Sequence, residues 1–270
     1  MPWVPELFST PVLQRVRDKM RRDELLSVPY FDGFMAGEPD ALVESFAGEP
    51  LVYDPLRGRV KGEAAFRAFV ARTTEWLEEK KVTAEYVNLA QGGGFEEVVL
   101  HFDGGTGQIA LPCATVTDRR ADGRIEEVRV YHSTRPLIGL RACRPPLLQA
   151  DPELREPGVV AEHQRALAAG DVDAVVAAFE PDAYAREPLG ARAGVRAFYE
   201  GVFSHGGGIA QEQCAIAGDA RTRALEYNVV RWGSAELLPQ AGVCVYVRGQ
   251  SGKLAAVRIY DDVEPPPGVR

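Results

Sequence analysis

The sequence predicts an α+β fold built twice over, and three observations carry that prediction. First, the chain repeats itself at a shift of 133 residues. FMAGEPDALVESF at 34–46 meets LAAGDVDAVVAAF at 167–179, with Gly37/Gly170, Asp40/Asp173, Ala41/Ala174 and Phe46/Phe179 in register. Asp54-Pro55-Leu56 meets Glu187-Pro188-Leu189 at the same shift, and near the end of each copy IEEVRVYH (125–132) meets LAAVRIYD (254–261). Two copies at this spacing indicate a duplicated domain rather than a short-period solenoid. Second, each copy shows helical periodicity first and strand-like runs after it, the order of an α+β domain with helices on one face of an antiparallel sheet. Third, residues 135–157 hold five of the 19 prolines, which reads as a stiff, extended linker.

The elements follow in order. Ser9 or Thr10 caps a helix over 9–27, with Pro11 in its first turn. A second helical stretch over 29–47 breaks near Gly37–Pro39. A short strand at 51–54 stops at Pro55, a helix covers 62–79, and strands follow at 82–89, 95–102, 108–117 and 125–133. The second copy has helices at 158–169, 171–179 and 194–203, a strand ending at Glu187, and strands at 209–217, 222–232, 235–248 and 254–261. The domains are therefore an N-terminal helical extension (1–27), a first domain (28–134), the linker (135–157), a second domain (158–263) and a tail (264–270) whose EPPPGVR reads as polyproline. A curved sheet with helices on its concave side leaves a pocket between them, the place to look for function.

Composition narrows the function classes. Hydrophobic content of 46% and charged content of 26% are those of a globular domain. A net charge of −8 opposes nucleic-acid backbones and anionic membrane surfaces. The basic run Arg15, Arg17, Lys19, Arg21 and Arg22 reads as the wet face of the first helix. Cys113, Cys143, Cys214 and Cys244 form no CxxC pair and no His/Cys cluster with metal spacing, so no metal site is expected and the thiols read as free, buried and cytoplasmic. No apolar run approaches membrane-spanning length and the N-terminus has no secretory pattern. The GGG runs at 92–94 and 206–208 precede strands rather than helices and read as turns, not phosphate loops. Arg129 and Arg258, matched between the copies, read as solvent-facing strand positions.

The residues AGDVDAVVAAF…REPLG (169–190), their twin AGEPDALVESF…YDPL (36–56) and the closing GKLAAVRIYDD (252–262) resemble the SnoaL-like polyketide cyclases and ketosteroid isomerases of the nuclear transport factor 2-like superfamily. The resemblance implies two tandem cone-shaped α+β barrel domains, each a curved antiparallel sheet wrapped around helices. It also implies a pseudo-dimer of the two domains within one chain, with a further homodimer open. Ketosteroid isomerases place a Tyr in the first helix, an Asp before a Pro at the end of the first strand, and a second, protonated Asp on a later strand. By position these are Tyr30 and Asp54 in the first copy, and His163 and Glu187 in the second, each pair 24 residues apart. The third position falls on Thr115 and on Cys244, neither of them an acid, which argues against steroid isomerisation.

These residue types suit one chemistry. A carboxylate in an apolar pocket has a raised pKa and can remove a proton from carbon next to a carbonyl, while a phenol or imidazolium donates to the enolate oxygen. Asp54 with Tyr30 is thus a base and donor, and Glu187 with His163 an acid–base pair, His163 titrating near neutrality. His101 and Glu226, on strands, and Trp232 are further candidates to line the pockets. Each also has a structural reading: acid-before-proline is a common turn former, and strand alternation can place His101 and Glu226 on the outer face. The expected function is a cofactor-independent enzyme acting on a hydrophobic small molecule, polyketide- or terpenoid-like, by proton abstraction next to a carbonyl. The alternatives are an epoxide hydrolase or epoxide-opening cyclase, and a non-catalytic binding protein.

Overall fold

The structure is a computed structural model. It describes residues 39–89, 94–105, 107–204 and 206–263. The expected helix over 9–27 with its basic run, the candidate Tyr30 and the tail 264–270 lie outside the described residues. The chain forms two compact units that divide between Val130 and Tyr131.

The first unit holds helix α1 (Pro39–Glu44), the hairpin β1 (Leu51–Asp54) and β2 (Gly58–Lys61), helix α2 (Glu63–Glu79), and strands β3 (Thr83–Leu89), β4 (Phe95–Asp103), β5 (Gln108–Arg119) and β6 (Ile125–Tyr131). The sheet order is β2-β1-β6-β5-β4-β3. In α2 the apolar positions 66, 69, 70 and 77 lie on one stripe, and Phe66, Phe69, Val70 and Leu77 are buried. Phe66 meets Phe46 edge-on at 5.2 Å and Trp76 meets Phe102 at 5.1 Å, so the helix is fixed by aromatic pairs.

The second unit repeats the plan after a short helix α3 (Arg135–Ile138) in the proline-rich segment. Helices α4 (Val159–Ala169) and α5 (Val172–Ala177) come first, then β7 (Phe179–Arg186) and β8 (Arg192–Gly194), helix α6 (Val195–Val202), and strands β9 (Ile209–Gly218), β10 (Thr222–Trp232), β11 (Ala235–Arg248) and β12 (Leu254–Ile259). The order β8-β7-β12-β11-β10-β9 matches that of the first sheet strand for strand. Val160, His163, Ala166 and Leu167 form the buried stripe of α4, which Gly170 ends in the left-handed conformation at φ 72°. A Cβ there would also sit 2.7 Å from the Gly207 carbonyl carbon, so residue 170 is glycine on two counts. Asp171 caps α5 by accepting from the Ala174 N–H at 2.9 Å.

The α+β fold read from the repeat is what the structure shows, with one addition. Each sheet carries a parallel pair, β1 with β6 and β7 with β12, inside an otherwise antiparallel arrangement. The cause is that the first and last strands of each unit are neighbours, joined by the whole intervening chain. No local pattern announces such a pairing. It matters because parallel strands end on the same side of the sheet, so the residues after β7 and after β12 emerge together.

The segment 135–157 is bound to the second unit rather than free of it. Ala241 N donates to the Arg144 carbonyl at 2.9 Å, Asp151 N to Gln213 at 2.8 Å, and Asn228 Nδ2 to Leu148 at 3.1 Å. Arg129 and Arg258 are buried, not solvent-facing. Arg129 achieves this through a bidentate pair with Asp118 at 2.7 and 2.9 Å and a contact to Glu127 at 2.8 Å, since a buried guanidinium needs carboxylate partners. Cys113 and Cys244 are buried, whereas Cys143, on the proline-rich segment, is exposed and Cys214 is half-buried. Among the described residues no helix is long and apolar enough to cross a membrane, and no three His, Cys, Asp or Glu side chains cluster as a metal site.

Candidate functional site

The second unit encloses a cavity of about 410 Å³ between its helices and its sheet. Its walls are largely apolar, with Leu167, Phe198, Val229 and Ile259 among them. Four of the residues singled out from the sequence line it: His163, Glu187, Cys244 and Trp232. So does Asp261, which the sequence reading did not select.

Strand register assembles this group. Arg186 pairs with Arg258 across β7 and β12, so Glu187 and Asp261 follow at the same end of the sheet. Tyr227 pairs with Gly242 across β10 and β11, and Tyr260 N donates to the Val243 carbonyl at 3.1 Å, which sets Asp261 beside Gly242. The Tyr227 hydroxyl then donates to Asp261 Oδ2 at 2.5 Å, and Val263 N to Asp261 Oδ1 at 3.1 Å. Burial pushes the Asp261 carboxyl up to about 6, with a further push from Asp262; the Tyr227 and Val263 hydrogen bonds and the Arg141 charge hold it back. A carboxyl group at that value is mostly ionised at neutral pH yet basic enough to take a proton. Burial raises the Tyr227 phenol well above its ordinary value, and the Asp261 charge adds to this, so Tyr227 stays a donor.

His163 has a different part from the one expected. It is buried in α4, and burial pushes its pKa down to about 3, so the ring is neutral rather than poised near neutrality. Its Nε2 lies 2.7 Å from the Tyr199 hydroxyl and its Nδ1 lies 3.1 Å from the Tyr246 hydroxyl. A neutral imidazole has one donor and one acceptor, so one phenol donates to it and the other accepts from it. Gln164 Nε2 also donates to the Tyr246 hydroxyl. The rings of Phe179, Tyr199 and Tyr246 pack edge-on around the imidazole at 5.3–5.5 Å. His163 is a clamp on two phenols, and its neutral ring is not an imidazolium acid at neutral pH. Cys244 is buried and its thiol is pushed up to about 12, chiefly by burial, so it remains protonated.

The remaining candidates lie elsewhere. Glu226 is buried, but Tyr131 donates to its Oε1 at 2.6 Å and it does not line the cavity. That is the strand alternation that puts Tyr227 inward. Asp54 closes the β1–β2 hairpin, its Oδ1 accepting from the N–H groups of Leu56 at 2.9 Å and Arg57 at 2.8 Å. His101, 40% exposed, is 3.3 Å from Glu85 Oε2. Thr115 is fully buried, its hydroxyl without a hydrogen-bond partner among the described residues. None of these three lines the cavity of the second unit.

Residues 29–128 match the family of the SnoaL-like domain. The match lies within the first unit. The second unit repeats the strand order of the unit that carries this match. Among curated proteins, none matches the sequence. Solved structures similar to the chain include an uncharacterised cystatin-fold protein from Novosphingobium aromaticivorans, 21% identical over 37% of this chain and 93% of that one, with a TM-score of 0.32. A proposed polyketide cyclase from Sinorhizobium meliloti is 22% identical over 38% and 94%, TM-score 0.33. An epoxide hydrolase/cyclase-like enzyme in pyran ring formation in the polyether salinomycin is 21% identical over 43% and 90%, TM-score 0.31.

The residue that sequence reasoning missed had a signal. Asp261 closes LAAVRIYD where the first copy closes IEEVRVYH, so Asp261 stands opposite His132 in the repeat. The ladders extend the contrast, because the rung Leu225↔Cys244 corresponds to Glu96↔Thr115. Two residues along, Tyr227↔Gly242 therefore corresponds to Val98↔Cys113. The first unit has neither the phenol nor the carboxyl at these positions.

Proposed function

We propose that the second unit is a cofactor-independent acid–base catalyst that removes a proton next to a carbonyl group on a hydrophobic small molecule. The observation that carries this is the Asp261 carboxyl, buried in an apolar cavity, tuned to about 6 and held by the Tyr227 hydroxyl. In this reading Asp261 is the base. Once protonated, the Asp261–Tyr227 pair offers a donor toward the enolate oxygen, which supports return of the proton elsewhere, cyclisation or loss of water. Glu187 is a second carboxyl on the same cavity, and His163 holds Tyr199 and Tyr246 in place. Tyr30 and Asp54 remain a proposed second base and donor in the first unit.

The test uses 2-tetralone, a hydrophobic ketone with acidic α-hydrogens, in deuterated buffer. Proton magnetic resonance follows loss of the α-hydrogen signal. The wild-type chain is expected to speed exchange above buffer, and Asp261→Asn to lower that rate by about 10²–10⁴-fold, the range of a general base. Equal rates for wild type and Asp261→Asn would exclude Asp261 as the base.

One observation favours a second reading. Glu187 and Asp261 line one cavity, and paired carboxyl groups can activate a water and protonate an epoxide oxygen. Hydrolysis of styrene oxide that is lost in both Glu187→Gln and Asp261→Asn, without any ketone exchange, would select epoxide opening instead.

A further inference from the structure

We propose that the Tyr199 hydroxyl donates a hydrogen bond to the carbonyl oxygen of a molecule held in the cavity, turned there by a one-way hydrogen-bond chain that starts at Gln164. The proposal deepens the reading of this cavity as a ketone site and rests on it. Three phenols line the cavity: Tyr199, Tyr227 and Tyr246. Burial raises all three well above the ordinary phenol value, so each keeps its proton. The Tyr227 proton is committed to Asp261 Oδ2. The directions of the other two follow from a count of protons.

Neutral His163 carries one N–H and one bare nitrogen. Its Nε2 lies 2.7 Å from the Tyr199 hydroxyl and its Nδ1 3.1 Å from the Tyr246 hydroxyl. These two contacts use two of the three protons that His163, Tyr199 and Tyr246 hold, so one phenol proton is left over. Gln164 sets which one. Its Nε2 only donates, and it donates to the Tyr246 hydroxyl oxygen. Tyr246 then donates to His163 Nδ1, the imidazole proton sits on Nε2 and goes to the Tyr199 oxygen, and the Tyr199 proton is left for the cavity. In this direction Tyr246 and His163 each accept one bond and donate one, and such chains polarise and strengthen their members. The reverse direction makes Tyr246 accept from two N–H groups and leaves its own proton to the Cys244 thiol, a weak acceptor.

The place of the donor suits the reaction. Tyr199, Tyr227 and Tyr246 all feel Cys244, so their hydroxyls surround one thiol and Tyr199 stands on the side of the cavity that holds the Asp261–Tyr227 pair. That pair gains a donor only after Asp261 has taken a proton, whereas Tyr199 is in place before the proton moves. A donor already aimed at the oxygen stabilises the charge as it develops. Gln164 lines a separate groove on the far side of α4, with Arg165 and Gln213, and not the cavity. Its substitution changes the direction of the chain while leaving the cavity wall alone.

Two measurements test this without turnover. One is the nitrogen-15 resonance of the His163 ring, assigned through its contacts with the rings of Phe179, Tyr199 and Tyr246. The other is the carbonyl carbon-13 shift of 2-acetonaphthone, a hydrophobic ketone, bound at about pH 8, where Asp261 is ionised. The wild-type chain is expected to carry the His163 proton on Nε2 and to move the carbonyl signal downfield. Tyr199→Phe should bind the ketone without that movement. It should also lower the plateau of 2-tetralone exchange by about 10²-fold, as loss of one oxyanion donor does. The rising limb should stay in place, because the groups that tune Asp261 are Tyr227, Val263, Asp262 and Arg141. Gln164→Glu puts an acceptor where the donor was, so Tyr246 donates to it, the imidazole proton moves to Nδ1 and Tyr199 turns to Nε2. The downfield movement should then be lost although no cavity residue has changed. A wild-type proton on Nδ1, no binding of 2-acetonaphthone, or a downfield movement that survives in Tyr199→Phe would overturn the proposal. Should Tyr199→Phe fail to fold, Gln164→Glu decides, and an unmoved imidazole proton or an unchanged carbonyl shift there refutes the chain. A downfield carbonyl without 2-tetralone exchange sinks the catalytic reading alone, and exchange that depends on Asp261 but not on Tyr199 sinks this one alone.

Discussion

The Tyr227 hydroxyl meets Asp261 Oδ2 at 2.5 Å in space that exists because residue 242 is glycine. A Cβ at position 242 would stand 2.5 Å from Tyr227 Cε2 and 2.6 Å from Asp261 Oδ2. Both groups are buried, and each would have to shift away from such a Cβ. Gly242→Ala should therefore separate the pair, lower 2-tetralone exchange by at least about 10-fold, and cost about 1–3 kcal/mol of stability, as overpacking does. Thermal unfolding and the exchange assay, run side by side, check both parts. An unchanged exchange rate would show that the contact is not needed for turnover.

The pH dependence of stability has two opposing sources. Asp261 is raised from 3.8 to about 6, so its contribution is full below the unfolded value and is lost as pH rises through the folded one, a change of about 3 kcal/mol at most. His163 is lowered from 6.5 to about 3, so its contribution is present above the unfolded value and is lost as pH falls, by up to about 5 kcal/mol. Between about pH 4 and 6 the two slopes cancel in the wild type. Asp261→Asn removes one of them. Relative to wild type it should gain stability above pH 6 and lose that advantage towards pH 4. Chemical denaturation across this range checks it, and a constant difference between the two proteins would refute the assignment.

The rate should carry the same signature with the opposite use. A base must be deprotonated, so exchange of 2-tetralone is expected to rise with pH through about 6 and level off above. The Tyr227 hydrogen bond holds the Asp261 carboxyl down. Tyr227→Phe should therefore move the rising limb to higher pH and lower the plateau by removing a donor. A limb that stays in place would mean that another group titrates.

The contrast between the halves shows how far the sequence could be read. Gly37/Gly170, Phe46/Phe179 and the order of apolar runs were enough for two α+β units, because periodicity and turn residues are local signals. His163, Glu187 and Cys244, positions picked out by the family resemblance, line the cavity, as does Trp232. The protonation state of His163 was not legible, since it depends on burial by Phe179, Tyr199 and Tyr246, which lie far along the chain. Asp261 was missed because its environment is made by strand pairing. The parallel β7–β12 contact and the Tyr227↔Gly242 rung join residues that no spacing rule relates.

That leaves the two halves to be told apart by experiment. Asp54 accepts two backbone N–H groups in the β1–β2 turn, a role that asparagine keeps through its own Oδ1. Asp54→Asn should therefore leave stability nearly unchanged, whereas Asp54→Ala should lose about 1 kcal/mol, the worth of a typical hydrogen bond to a turn. If catalysis resides in the second unit, Asp54→Asn keeps its exchange rate while Asp261→Asn does not, and the double variant matches Asp261→Asn alone. If the first unit also works, Asp54→Asn removes a share of the rate and the double variant falls below either single one. Both variants change a carboxylate to its amide, so the comparison holds shape constant and alters only the capacity to take a proton. A rate lost in Asp54→Asn and retained in Asp261→Asn would move the base from the Asp261–Tyr227 pair to the first half of the chain.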